Sequence, residues 1–407
     1  MANTLYISYT GLMDPLGQSQ VLQYVLALAK DHRMTLLTFE KRENLKDSER
    51  YNKLKQRCDS HGVNWHALTW NNKPPLVGTM FDIAKGARLA VRLARASDID
   101  LVHCRSYIAS LMGLAVKRKT GARFVFDMRG FWPDERVDGG IWSRRSAPYR
   151  VFKTVERRLF LAADHVVSLT KSGVSEFSAF EYLSGRVPPV SVIPTCTNLD
   201  LFKNHEVPRA DFTLGYIGSV GSWYMFEDVA IAVRRLFDRR ADARFLVINK
   251  GGHEKIRAEL QAAGVDMNRV EIREAAFDEV GEQVSRMDAG IFFIKPAWSK
   301  RASCPTRMGE FLACGKPCLA NDGVGDVRED FAATNTGITL PVTEAGGVDL
   351  ANLDTAIERL IALAQEPGIA QRCRTAAEER FSLEGGVAEY SRIYHKLAGD
   401  DSEVSQK

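Results

Sequence analysis

Short apolar runs alternate with amphipathic stretches along nearly the whole chain, and the alternation starts afresh near residue 200. In the first half the runs are TLYISYT, MTLLTF, DLVHCR, RFVFDM, HVVSLT and VSVIPT, separated by SQVLQYVLALAKD, DIAKGARLAVRLARA and SLMGLAVKRKTG. In the second they are FTLGYIGS, RFLVINKG, RVEIRE, AGIFFIK, KPCLAN and TGITLP, with MFEDVAIAVRRLFDRR, HEKIRAELQAAG and DEVGEQVSRM between them. A strand that is apolar on both faces needs cover on both, and a helix after each strand supplies it. This grammar predicts a parallel sheet with helices on either side. Two rounds of it predict an α/β protein of two doubly wound domains, since 407 residues are also too many for one compact core. In open sheets of this kind the ligand binds beyond the carboxyl ends of the strands, so the domains are expected to face each other across a shared cleft. The expected boundaries are 1–198 and 199–384. A C-terminal helix at about 385–400 is expected to pack back on the first domain, and residues 401–407 read as a disordered tail.

A composition of 45% hydrophobic and 26% charged residues is ordinary for a soluble globular protein. MANTLYISYT lacks the basic start and long apolar run of a secretory leader, and no stretch approaches the roughly 18 apolar residues of a membrane span. The seven cysteines include no CxxC pair, which fits reduced thiols and a cytoplasmic location. Cys304, Cys314 and Cys318 lie close together without a matching His/Cys set, so no metal is expected. The net charge of +4 hides an asymmetry: residues 1–200 carry 29 Lys+Arg against 19 Asp+Glu, and residues 201–407 carry 26 against 32. A basic first half suits an anionic partner such as a membrane surface, a phosphorylated substrate or nucleic acid. Nucleic acid is the weakest of these, because aromatics do not interleave with the basic helices.

The segment SKRASCPTRMGEFLACGKPCLAND, residues 299–322, concentrates the chemistry. Thr306 or Ser303 can cap a helix running to Cys314, with Gly315 as its stop and Pro317 beyond. The amides and dipole of such a helix start favour an anion; Arg307 adds a cation there, and Lys300 and Arg301 sit just upstream. Glu310 follows Arg307 by three residues and Thr306 by four, so it shares their helix face about 5 Å away. A glutamate taken alone is a surface residue.

PTRMGEFLACGKPCLAND resembles the donor-site segment of retaining GT-B glycosyltransferases of the family 4 type, whose pattern reads like E-x7-E followed by A-C-G-x-P-V. VIPTCTNLDLF is similar to the family's link between domains, FTLGYIGSVGSW to the opening of its donor domain, and VERRLFLAADHVVSLTKSGVSEF to the close of its acceptor domain. The resemblance implies a GT-B fold of two Rossmann-like domains and transfer of a sugar, with retention, from a UDP- or GDP-type donor to a glycan or lipid-linked acceptor. That is the chemistry of cell-surface polysaccharide or glycolipid synthesis, with no metal or other cofactor. It assigns Glu310 to the donor ribose, Gly17 and Gln18 to the N-terminal glycine-rich turn, and Lys250 to the turn near the base. The sequence departs from the family at three places. Ala302 stands where the first glutamate of E-x7-E would fall. The loop GSVGSWYMFED has Ser219, Gly221 and Ser222 in place of the usual Arg and Lys. Arg129 replaces the histidine of the HG motif, and a guanidinium is too basic to act as a general base. Diphosphate binding must then draw on Lys300, Arg301, Thr306, Arg307 and loop amides such as that of Ser219.

With a leaving phosphate that accepts the acceptor's proton, Arg129 can serve as an electrostatic clamp, and Asp134 or Glu135, on a loop opened by Pro133, can bind hydroxyls or act as base. A solvated Asp-Glu pair is the competing reading. His103 and Cys104 read as satisfied core or cleft residues rather than ligands. Lys85, Arg88, Arg92 and Arg95, spaced three, four and three apart, form one helix face, and Arg144, Arg145, Arg150, Lys153, Arg157 and Arg158 repeat the theme. Such stripes are usually solvated faces; here they also suit peripheral attachment to an anionic inner membrane leaflet. The departures leave two alternatives open, a sugar-nucleotide epimerase on the same scaffold and a nucleotide-binding subunit whose partner does the chemistry.

Overall fold

The computed structural model describes residues 1–71, 73–205, 211–344 and 346–399. It divides into two compact units, one of Met1–Pro194 together with the chain from Leu383 onward, the other of Thr195–Ser382. The expected tail at 401–407 lies outside the described residues.

The first unit is built on seven strands: β1 (Asn3–Ser8), β2 (Arg33–Glu40), β3 (Asn64–Thr69), β4 (Leu101–Arg105), β5 (Arg123–Asp127), β6 (His165–Ser168) and β7 (Val190–Val192). Their order is β3-β2-β1-β4-β5-β6-β7, and every pairing is parallel. The second unit holds β8 (Thr213–Ile217), β9 (Arg244–Ile248), β10 (Val270–Arg273), β11 (Ala289–Ile291), β12 (Cys318–Asn321) and β13 (Gly337–Leu340). Their order is β10-β9-β8-β11-β12-β13, again wholly parallel. Each sheet grows one way from its first strand and then the other. The reversals fall between β1 and β4 and between β8 and β11, where the loops at the carboxyl edge part and leave a crevice. The doubly wound α/β class read from the sequence is therefore the observed one.

Two elements differ from the sequence expectation. NWHALT forms the edge strand β3, which an apolar-run search passes over because an edge strand is covered unevenly; here only Trp65 is fully buried. The C-terminal helix expected at about 385–400 starts two residues earlier, as Leu383–Ala398, set off from the preceding helix Ile369–Phe381 by the extended backbone of Ser382. This C-terminal helix belongs to the first unit.

Glycine sets the position of the helix that carries Arg307 and Glu310, Thr306–Ala313. A β-carbon on Gly290 of β11 would lie 2.6 Å from the Phe311 ring, so that ring seats directly on the strand. Burying a phenylalanine this way contributes roughly 1.5–3 kcal/mol. On another side of the helix, a β-carbon on Gly309 would meet Thr197 Oγ1 at 2.7 Å and Phe381 Cβ at 3.2 Å.

Candidate functional site

In the second unit the helix Thr306–Ala313 follows an N-cap at Pro305, and no side chain caps it. Neither Thr306 nor Ser303 plays the expected capping role: Thr306 is already the first helical residue, and a cap must precede the helix to reach its free amides. Gly315, at φ +75°, ends the helix as the sequence suggested. At its second residue, the Arg307 side chain is buried between two aromatic rings. Its guanidinium carbon lies 4.8 Å from the centroid of Tyr216 and 4.3 Å from that of Tyr224. Arg307 Nη1 is buried with no hydrogen-bond partner. Gly218, which ends β8 at φ +97°, gives this guanidinium its space, because a β-carbon there would stand 2.8 Å from Nη2.

Lys300 repeats the arrangement, with Nζ 3.9 Å from the centroid of Trp223. It is buried on the Trp298–Ala302 turn, while its neighbour Arg301 is exposed. Glu310 is half-buried, and burial pushes its carboxyl up to about 7 against the pull of Arg307. Asn249, just past β9, fastens the surrounding loops: its Nδ2 donates to Gly218 O at 2.8 Å and its Oδ1 accepts from Gly252 N at 2.7 Å. Ser219 and Lys250 are exposed on these two fastened loops. The structure thus gathers the loops after β8 and β9, the Trp298–Ala302 turn and the start of the Arg307 helix at the carboxyl edge of one sheet. Sequence reasoning missed Tyr216, Trp223, Tyr224 and Asn249; the adjacent Trp-Tyr pair in the loop that lacked its expected cations was the available signal. Ala302, at the place of the family's first glutamate, is fully buried.

In the first unit, Gly17 is required by packing. A β-carbon there would lie 1.8 Å from Gly11 O, and one on Gly11 would lie 2.2 Å from Glu40 Oε2. The buried Glu40 carboxylate accepts from Leu12 N at 2.7 Å, Met13 N at 3.1 Å and Thr38 Oγ1 at 2.8 Å, which ties the loop after β1 to the end of β2. Gln18 opens a single wide π turn, Gln18–Leu22. From the same turn Gln20 Oε1 accepts from Arg129 Nη2 at 3.3 Å.

Arg129 itself sits in left-handed backbone, φ +58°, two residues beyond β5. Its Nη1 is 3.8 Å from Asp127 Oδ2, and Tyr390 of the C-terminal helix donates to the same oxygen at 3.2 Å. His103 Nε2 lies 3.5 Å from Asp127 Oδ2, and His103 Nδ1 meets Tyr394 Oη at 2.6 Å. Burial lowers the pKa of His103 despite Asp127, keeping the ring neutral. Burial alone would raise Asp127, but Arg129 with His103 and Arg105 holds its carboxyl below the usual range.

The expected Asp-Glu loop is a helix, Trp132–Asp138, with Pro133 in its first turn. Asp134 is buried within it and both its oxygens are engaged, by Tyr149 Oη at 2.8 Å and Lys153 Nζ at 3.0 Å. Lys153 also pairs with the buried Glu156, so this lysine leaves the basic stripe and neutralises an interior acid pair instead. Glu135 is half-buried in the same turn. The helix Pro75–Ala96 exposes Arg88, Arg92 and Arg95, with Lys85 half-buried. The first two turns of the same helix carry Leu76, Val77, Met80 and Phe81, each more than half exposed. Among the described residues no helix is long and apolar enough to cross a membrane.

Residues 17–196 match the sequence profile of the glycosyl transferase 4-like domain. No curated protein is significantly similar to the chain in sequence. Among solved structures, sucrose-phosphate synthase from Thermosynechococcus elongatus superposes with a TM-score of 0.72 at 15% identity, covering 98% of this chain and 100% of that one. HepE from Anabaena, in complex with UDP and glucose, gives 0.67 at 15% identity with 97% and 100% covered. A structure assigned as a UDP-N-acetylglucosamine 2-epimerase from Listeria monocytogenes gives 0.63 at 14% identity with 98% of each covered. At such identities the likeness is one of fold. Residues 17–196 thus resemble a glycosyl transferase 4-like domain, and the chain as a whole shares the GT-B fold of these structures.

Proposed function

We propose that the chain transfers a sugar, with retention at the anomeric carbon, from a UDP- or GDP-type donor to a glycan or lipid-linked acceptor in polysaccharide or glycolipid synthesis. The observation that carries this is Arg307, a buried guanidinium held between two tyrosine rings with Nη1 unsatisfied, on one helix face with Glu310. Diphosphate oxygens would complete its hydrogen bonds, and a ribose hydroxyl would donate to Glu310. HepE, whose structure holds UDP and glucose, shares the fold and supports a donor of this class.

As the bond between the anomeric carbon and the phosphate oxygen breaks, negative charge grows on the diphosphate. Arg307 and Lys300 stand ready to stabilise it without a metal, because their positions are already fixed by the aromatic faces. The acceptor hydroxyl bonds to the anomeric carbon on the same face, and its proton passes to the leaving phosphate. Arg129 acts as an electrostatic clamp on the acceptor side in this scheme, and Asp134, engaged on both oxygens, supports packing rather than proton transfer.

The exposed apolar quartet ahead of Arg88, Arg92 and Arg95 favours docking of the Pro75–Ala96 helix on an anionic membrane surface, at the cytoplasmic face. Apolar side chains would enter the headgroup boundary while the guanidinium groups meet lipid phosphates. Flotation with phosphatidylglycerol vesicles at low salt should carry the protein upward; recovery only at the bottom would remove this part of the reading.

A panel of UDP- and GDP-sugars incubated with a membrane extract tests the activity. Transfer with the donor's anomeric configuration kept, read by proton NMR of the product, is the expected result. Inversion, or no transfer from any donor, contradicts it. Ala302 in place of the family's acid favours one second reading, a subunit that binds nucleotide without transferring sugar, which would bind in this panel and never turn over.

A further inference from the structure

The carboxyl edge of the first sheet holds more positive charge than the fold needs. Ser8, Arg105 and Asp127 form a row across β1, β4 and β5 in register, with Arg129 just beyond. Two guanidinium groups here face one carboxylate, and the other polar groups, His103, Tyr6, Tyr390 and Tyr394, are uncharged. Burial does not remove the excess: Arg105 is 8% exposed and the Arg129 side chain 9%. Nor is the polar set satisfied, because Arg105 Nε, Arg129 Nε and Asp127 Oδ1 are all buried without a hydrogen-bond partner. A buried charge of this kind is costly unless something pairs with it.

Backbone points to the same place. Arg105 is the N-cap of the 15-residue helix Ser106–Thr120, whose first turn holds no acidic residue. A helix start without an acid favours a bound anion. Ser106 and Arg129, the residues that turn the chain at the ends of β4 and β5, both adopt left-handed backbone, φ +69° and +58°. Strain of that kind in non-glycine residues persists where a site requires it.

We propose that Arg105 and Arg129 form an oxyanion site that takes a phosphate or carboxylate group carried by the acceptor substrate. The assignment to the acceptor rests on the glycosyltransferase reading above, in which the second unit already supplies its own cations, Arg307 and Lys300, to the donor diphosphate. The acceptor class is then an acidic one: a glycan on a lipid phosphate or diphosphate, or a glycan ending in a uronic acid. Both present the same planar or tetrahedral oxygens to a guanidinium fork.

The test uses the full-length chain, inorganic phosphate and acetate as probes at fixed ionic strength, and thermal melting as readout. Phosphate should still raise the melting temperature of Arg307→Gln, whose donor-side site is weakened, should raise that of Arg105→Gln less than that of the wild type, and should fail to raise that of the double variant Arg105→Gln with Arg307→Gln. Stabilisation of Arg105→Gln equal to wild type, or none in the wild type, overturns the site. A phosphate response exceeding that of acetate assigns a phosphorylated acceptor, and the reverse order a uronic one. Without ligand, Arg105→Gln should melt no lower than wild type, because it removes an unpaired buried charge; a lower melt with no rescue in Arg105→Lys would mark Arg105 as structural and overturn the proposal. UDP affinity measured in parallel should be unchanged by Arg105→Gln. A parallel loss would reassign the site to the donor diphosphate and overturn the acceptor assignment. Failure of UDP to bind even the wild type would instead strike the nucleotide-sugar reading, leaving the phosphate comparison between Arg105→Gln and Arg307→Gln to decide the site.

Discussion

The two sheets share a winding order, yet their carboxyl edges are furnished in opposite ways. In the first unit Arg129 is tied to a carboxylate, Asp127, which also receives Tyr390. In the second, Arg307 lies between Tyr216 and Tyr224 with Nη1 unsatisfied. An aromatic cradle holds a cation in place without neutralising it, whereas a carboxylate offsets one charge, here one carboxylate against two guanidinium groups, with Arg105 Nε and Arg129 Nε still unsatisfied. The same scaffold can therefore hold buried positive charge with a carboxylate or with aromatic faces, and the residues that flank the arginine decide how much of that charge stays unpaired.

Removing the anchors of each arrangement should separate them. Asp127→Ala leaves two buried guanidinium groups without their carboxylate and should lower stability by about 3–5 kcal/mol, measured by urea unfolding. A change below about 1 kcal/mol would mean that the network is not structural. Gly218→Ala places a methyl against Arg307 in left-handed backbone and should lower stability by only about 1–2 kcal/mol. Its larger consequence should be weaker nucleotide binding in isothermal titration; unchanged binding would show that Arg307 can move aside at no loss.

The smallest effect concerns pH. The folded-state pKa of Glu310 is raised from 4.5 to about 7 by burial, opposed by Arg307. For a raised acid, the stability it contributes is present below its unfolded pKa and is lost as pH rises through about 7. A ribose hydroxyl needs the ionised form, so nucleotide affinity should climb roughly 10-fold between pH 6 and 8. Glu310→Gln should flatten that component of the climb, since the phosphates' own titration is common to both proteins. Identical pH profiles would return Glu310 to the reading of a surface glutamate.

Sequence reasoning reached what local pattern encodes. Strands buried on both faces read as apolar runs, and the Arg307–Glu310 spacing fixed a shared helix face before any coordinates. The edge strand β3 escaped because it is covered unevenly. The ties that shape the first unit escaped because they join distant residues: Glu40 holds amides 27 and 28 positions away, and Asp127 meets Tyr390 across 263. Arg105 carried no signal at all, being one basic residue at the end of an apolar strand. Asp134 was misread since its partners, Tyr149 and Lys153, come from the next helix and convert an apparent loop acid into a buried one.

In the proposed function the aromatic-cradled Arg307 binds a nucleoside diphosphate. Thermal melting of wild type and Arg307→Gln with UDP, GDP, ADP and CMP tests it most directly. A hydrogen bond to a charged group contributes about 1.5–3 kcal/mol, so the variant should bind the preferred diphosphate roughly 10- to 100-fold more weakly. UDP or GDP should raise the wild-type melting temperature, and the rise should largely disappear in Arg307→Gln, with both proteins melting alike when unliganded. Equal shifts in the two proteins, or no shift with any nucleotide, would contradict it.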